Sequence, residues 1–215
     1  MKSAWVFFTN VGFTMEHLKN YSKEVKEKVN DVEELLKTQI FVNEEVLNRY
    51  TYCRVVMDEI IDISGRAFNK ELQSVVVNNS YDVYVDNESG KIICLCSKQS
   101  VNFIKEVFEE MLKIRYSAYT FDLNSIINDS SNVKRAQFRN LSIQTLNSGM
   151  IKGNRVNDTE MFLDMLQNGD LSNIIVMYPF GNQDISISVS SSGSLLLYTH
   201  LQDSEFIQLI HNLIE

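Results

Sequence analysis

Proline is almost absent: the 215-residue chain has one, Pro179. That excludes a Pro-rich linker or a polyproline recognition segment. Cysteine is scarce and odd in number, with Cys53, Cys94 and Cys96. Three cysteines make no disulfide framework, and they point to a reducing, cytoplasmic setting. No stretch reaches the roughly 18 consecutive apolar residues of a membrane span. The start, Met1-Lys2-Ser3-Ala4-Trp5-Val6-Phe7-Phe8, is too short an apolar run for a secretory signal and reads as a first strand, about Ala4 to Thr9.

The signatures of catalysis and of cofactor binding are missing as well. No Gly-x-Ser-x-Gly turn precedes Ser204 or His200, and no Gly-Lys-Ser/Thr follows the loose pair Gly149 and Gly153. No dinucleotide fingerprint occurs. Cys94-x-Cys96, Cys53 and the single histidines His17, His200 and His211 lack the paired spacing of a zinc site. The expected cofactor set is therefore none.

What is present is an ordinary globular composition, 44% hydrophobic and 22% charged, with a net charge of −8. A chain of this length fits one large domain or two small ones. Its wealth of Asn, Ile and Lys fits an AT-rich genome, such as that of a low-GC bacterium, a phage or a plasmid. An acidic surface repels nucleic acid and anionic lipid, so contact with either requires a local basic patch.

The spacing of apolar residues predicts two long N-terminal helices. Leu18, Tyr21, Val25, Val29, Val32, Leu35 and Leu36 recur three or four apart, with Lys19, Lys23, Glu24, Lys26, Glu27 and Glu33 between them. Val46, Tyr50, Cys53, Met57, Ile60 and Ile61 form a second such face, with Asn43 placed to cap it and Gly65 to end it. Beyond Leu72 the pattern becomes strand-like: Ser74 to Val77, a turn at Asn78-Asn79-Ser80, Tyr81 to Asp86, a turn to Gly90, then Lys91 to Ser97. A helix begins at Ser100. The second half offers strands at Ala118–Leu123 and Ala136–Ile143, the latter bulged near Asn140. There follow a short helix from Asp158, a strand Ile174–Tyr178, a hairpin at Ile185–Thr199 and a last helix from Asp203.

Residues 90–111 and 193–214 align without a gap: Gly90 meets Gly193, Gln99 meets Gln202, and Phe103-Ile104 meets Phe206-Ile207. The expected fold is α+β, an antiparallel or mixed sheet with packed helices and a long N-terminal helical hairpin. It has two similar halves, 1–114 and 115–215, packed as one body, each ending in a β-hairpin plus helix.

Charge segregation is the strongest functional signal. The 28 residues between Asp129 and Asp158 hold no acid and five bases, Lys134, Arg135, Arg139, Lys152 and Arg155, so the remainder of the chain sums to −13. On a strand, Arg135, Gln137 and Arg139 share one face, and two arginines about 7 Å apart would grip successive anionic groups. This predicts a non-enzymatic binding or regulatory protein. Its partner, a protein or a nucleic acid, meets the basic segment 134–155 and the charged helix face Lys19 to Lys28, with no membrane involved. Two other classes remain open. One is a metal-dependent nuclease or other enzyme using Asp58 and Asp62, or Asp82 and Asp86. The other is a structural component that forms a homo-oligomer through its helical hairpin.

Overall fold

The computed structural model describes residues 1–47, 49–67, 70–143 and 145–215. The chain forms two compact units. Its first strand, β1 (Lys2–Phe8), belongs with residues 117–215, and residues 9–116 form the other unit. No helix among the described residues is long and apolar enough to cross a membrane.

Residues 9–116 fold as a meander. Strands β2 (Tyr21–Val29), β3 (Val32–Val46), β4 (Tyr50–Ala67), β5 (Lys70–Asp86) and β6 (Ile92–Leu95) pair in sequence order, every pair antiparallel. Helix α1 (Val101–Leu112) follows. The expected helical hairpin is therefore three strands, β2, β3 and β4, and an oligomer interface built on it falls with it. The periodicity misled because a stride of four residues, as in Tyr21, Val25 and Val29, returns to the same face of a strand as well as of a helix. Two local signals favour strand. The segment is rich in β-branched residues, among them Val25, Val29, Val32, Val42, Val55, Val56, Ile60 and Ile61. Asn30 and Asp31 both take positive φ, 46° and 67°, in a two-residue turn between the paired Val29 and Val32. That is the primed turn which matches strand twist.

Strand β5 also runs unbroken through Asn78-Asn79-Ser80, where a turn was expected. The polar side chains there bond across to β4: Asn78 Nδ2 donates to Asp58 at 2.9 Å, Asn79 Nδ2 to Glu59 at 2.8 Å, and Arg54 Nε to Ser80 Oγ at 2.9 Å. Cross-strand partners outweigh the turn preference of Asn and Ser. The core of this unit gathers Ile40, Tyr50, Val55, Met57, Val83, Val85, Ile92 and Ile93 with Ile104, Val107 and Phe108 of α1. Phe103 of α1 is 43% exposed.

The second unit adds β7 (Ser117–Ala118), α2 (Leu123–Asn128), β8 (Asn132–Ile143), β9 (Leu146–Lys152), α3 (Glu160–Asn168), β10 (Asp170–Phe180), β11 (Gln183–Ser190), β12 (Ser194–Leu197) and α4 (Asp203–Ile214). Its sheet order is β1-β12-β11-β10-β8-β9, again all antiparallel, with β7 on β1. Asp122 opens α2 by accepting from the N–H groups of Asn124 and Ser125, which replaces the expected strand end with a helical turn. The Thr159 hydroxyl, rather than Asp158, caps α3 by accepting from Phe162 N. Glu205 accepts from Gln202 N at 2.8 Å at the start of α4. One face of the sheet is apolar and buried, formed by Ala136, Phe138, Ile174, Val176, Ile185, Ile187, Val189, Leu195 and Leu197. Phe162 of α3 and Phe206, Ile207 and Ile210 of α4 are buried in the same unit.

The protein is thus mainly antiparallel β, with four α-helices of 6 to 12 residues among the described residues, not α+β around a helical hairpin. Both units end in the same succession of paired strands, turn and helix: β5, β6 and α1 in one, β11, β12 and α4 in the other. Gly90 and Gly193, equivalent in sequence, both adopt positive φ, 67° and 89°. At Gly193 a Cβ would stand 2.9 Å from the backbone oxygens of Val6 and Tyr119, so the turn admits no side chain.

Candidate functional site

Strand β8 alternates as an amphipathic strand must. Ala136 and Phe138 are fully buried, while Arg135, Gln137 and Arg139 face the other way. The register fixes their neighbours: Arg135 lies opposite Lys152 on β9 and Ile175 on β10, Gln137 opposite Met150 and Asn173, and Arg139 opposite Ser148 and Asp170. The N–H of Gly153 donates to the Lys134 carbonyl at 3.0 Å. The antiparallel pair 135:152 next to it is therefore non-hydrogen-bonded, the type in which side chains approach most closely. Two cations thus stand side by side on one sheet face.

Neither of them has a carboxylate partner among the described residues. Arg135 Nη2 donates to Asn173 Oδ1 at 3.0 Å, and Asn173 Nδ2 continues to Ser188 Oγ and the Val189 carbonyl, each at 3.1 Å. A neutral polar track therefore runs over three strands from the guanidinium. Arg135 Nε is buried with no hydrogen-bond partner. Lys134 sits at the irregularity where β8 carries one more residue than β10, between the pairs Arg135:Ile175 and Val133:Val176.

The other two bases separate from this group. Arg139 lies four residues from Arg135, which is about 13 Å along a strand and not 7 Å. Asp170 is opposite it in register, with Oδ2 accepting from Asn140 Nδ2 at 2.8 Å. Arg155 is held by its own neighbour, with Nε 2.8 Å from Asp158 Oδ2. Phe138, the aromatic of the segment, is buried against Phe162 with ring centroids 5.5 Å apart, so it offers no face to a nucleobase. The structure brings together Lys134, Arg135 and Lys152, sets Arg139 at a distance and neutralises Arg155. Sequence reasoning missed Asn173 and Ser188, which look like ordinary strand residues until β10 and β11 are placed beside β8.

The charged stretch Lys19 to Lys28 is different. It overlaps the β2 strand, and three of its four cations are matched: Lys23 to Glu110 at 2.7 Å, Lys26 to Glu33 at 3.3 Å and Lys28 to Asp31 at 2.8 Å.

The acids of the enzyme alternative are dispersed along β4 and β5, each in a structural bond. Asp58 accepts from Lys37 N and from Asn78, Asp62 from Ser74 Oγ at 3.0 Å, and Asp82 from Tyr52 OH at 2.6 Å. Asp86, fully buried, accepts from Arg49 Nε and Nη2 at 3.1 Å each and from Glu88 N at 3.0 Å. Burial pushes its carboxyl up. The Arg49 guanidinium, the Ser89 hydroxyl and the Glu88 N–H outweigh that and hold it below the ordinary aspartate value. Among the described residues no three of His, Cys, Asp or Glu converge as a metal site would require. Cys53 and Cys94 flank Val83 on adjacent strands. Burial raises the Cys53 and Cys96 thiols to about 12, leaving them inert core side chains.

No family model matches the chain, and no curated protein matches its sequence.

Proposed function

We propose that this chain is a non-enzymatic binding protein that takes an anionic macromolecular partner at the sheet margin carrying Lys134, Arg135 and Lys152, with Arg139 as an outlying contact. One observation carries the reading: Arg135 and Lys152 face each other across a close strand pair with no carboxylate partner among the described residues. Like charges placed directly opposite are destabilising, and an anion between them relieves the repulsion. The surplus of acid elsewhere in the chain, −13 outside this segment, keeps anionic partners from the rest of the surface.

The test is a titration of the full-length protein against poly-glutamate and against a single-stranded oligonucleotide, at 50 and 200 mM salt. With four cations engaged on a single strand, the fourfold rise in salt weakens oligonucleotide binding by about 50-fold. Arg135→Gln with Lys152→Gln abolishes it, and Lys23→Gln with Lys26→Gln leaves it unchanged. Equal binding by the first pair and the native protein refutes the reading.

A further inference from the structure

Strand β9 is the last in its sheet order, and among the described residues no strand pairs with its outer edge. Edge strands are ordinarily blunted by charge or proline. The β2 strand, last in the order of its own unit, is blunted in this way, with Lys23, Glu24, Lys26, Glu27 and Lys28 along it. By contrast β9, Leu-Asn-Ser-Gly-Met-Ile-Lys, carries one charge and no proline, and its Leu146 and Met150 are 50% and 58% exposed.

The direction of its backbone groups follows from one bond. Gly153 N–H points at the Lys134 carbonyl on β8, so residues 153, 151 and 149 turn their backbone groups towards β8. Ser148, Met150 and Lys152 turn theirs to the open edge. The same three side chains share the sheet face that bears Arg135. On the opposite face Gly149 lies beneath α3, where a Cβ would stand 2.8 Å from Met165 Cε.

We infer that β9 receives an extended segment of an acidic protein, which adds to the sheet as a further strand with a carboxylate next to Lys152 and Arg135 and an apolar side chain next to Met150. This rests on the anion-binding reading above and narrows its partner to a polypeptide. Main-chain donors and acceptors at strand spacing suit another β-strand, and the buried Phe138 denies a stacking surface to a nucleic acid. The charges supply the choice of partner and the backbone ladder supplies the affinity.

The test uses the full-length protein and a labelled peptide that alternates Val with Glu, beside a thymidine oligonucleotide of equal charge. Met150→Pro and Ser148→Pro each delete an N–H that faces away from β8. The β8–β9 ladder survives, as edge proline allows, and an unchanged melt checks it. Peptide binding is expected to fall at least tenfold in both proline variants, with oligonucleotide binding unchanged. In the native protein the amides of 148, 150 and 152 are expected to slow in hydrogen exchange when peptide is added.

Native-like peptide binding by both folded proline variants overturns strand addition, and a loss with Lys152→Gln in the same experiment would leave the charge reading standing. Oligonucleotide binding without peptide binding overturns the choice of a polypeptide. A dimer in ultracentrifugation that Met150→Pro dissociates makes a second copy the occupant and overturns the acidic partner. Should the proline variants unfold, the exchange experiment decides alone, and unslowed amides overturn the inference.

Discussion

Replacing Arg135 by Met separates binding from stability. Three quantities set the stability change. The like-charge contact with Lys152 disappears, a gain of about 0.2–1 kcal/mol. The buried Nε without a partner disappears, which is worth about 1–3 kcal/mol. The hydrogen bond to Asn173 is lost, about 1 kcal/mol, but Asn173 Oδ1 is not orphaned because Ser188 Oγ also donates to it at 3.3 Å. The thioether stem keeps the packing against the opposite Ile175. The net is a gain of roughly 1 kcal/mol, a rise of about 4 °C in the melting transition of the unit that contains β8. Binding to an anionic partner loses one charge-assisted contact, about 1.5–3 kcal/mol or roughly 10- to 150-fold. Calorimetry and a binding titration on the same preparation read both. A melting temperature that falls by several degrees would show that Arg135 is kept for the fold, and the argument for a site at this position would fail.

Two further perturbations test the fold itself. Asp86→Ala strips Arg49 of a buried partner at the β5–β6 turn and costs about 3–5 kcal/mol by urea titration at pH 7. Because Asp86 is held below the ordinary aspartate value, its contribution is present above about pH 4 and is lost as pH falls through the lower folded value, a loss that Asp86→Asn does not show. Asp31→Gly relieves a left-handed residue in the β2–β3 turn, where Asn-Gly is the preferred pair. It stabilises by about 1 kcal/mol in the same titration, since the exposed Lys28–Asp31 ion pair that it removes contributes little.

How much of this was legible in the sequence depended on which features need no pairing partner. Strands β8, β10, β11 and β12 and the final helix could be read because Gly193, Gly169 and the runs around Ile174 and Ile187 are local signals, whereas β9, with its Gly149, was not. Strands β2, β3 and β4 could not, since Tyr21, Val25 and Val29 satisfy both periods and only Asn30-Asp31 breaks the tie. Asn78 to Ser80 mimic a turn until Asp58, Glu59 and Arg54 on β4 supply their hydrogen-bond partners. The surplus of base between 130 and 157 needed no geometry, because counting suffices. Its division into a cluster, an outlier and a neutralised residue needed all of it.

The slipped alternation at Asn140 joins these two levels. The β8–β9 hairpin opens with Ile143 opposite Leu146, and that register carried on without interruption would set Arg135 against Asn154 and Lys152 against Gln137. Instead three residues of β8, 140 to 142, oppose one of β9, and Asn140 takes φ 52°, a left-handed conformation that asparagine tolerates better than most. The shift of two residues keeps every side chain on its own face, so the core is indifferent to it. Its effect on this pair is electrostatic: Arg135 moves from a neutral neighbour to Lys152. A bulge that costs backbone strain and brings two cations together fits the anionic partner proposed above. Restoring the regular register by deleting Asn140 and Ser142, which keeps the buried Leu141 next to Arg139, would disperse the charges without disturbing the alternation of buried positions. If binding to an anionic partner survived that deletion in a folded protein, the pairing of Arg135 with Lys152 would have no part in it.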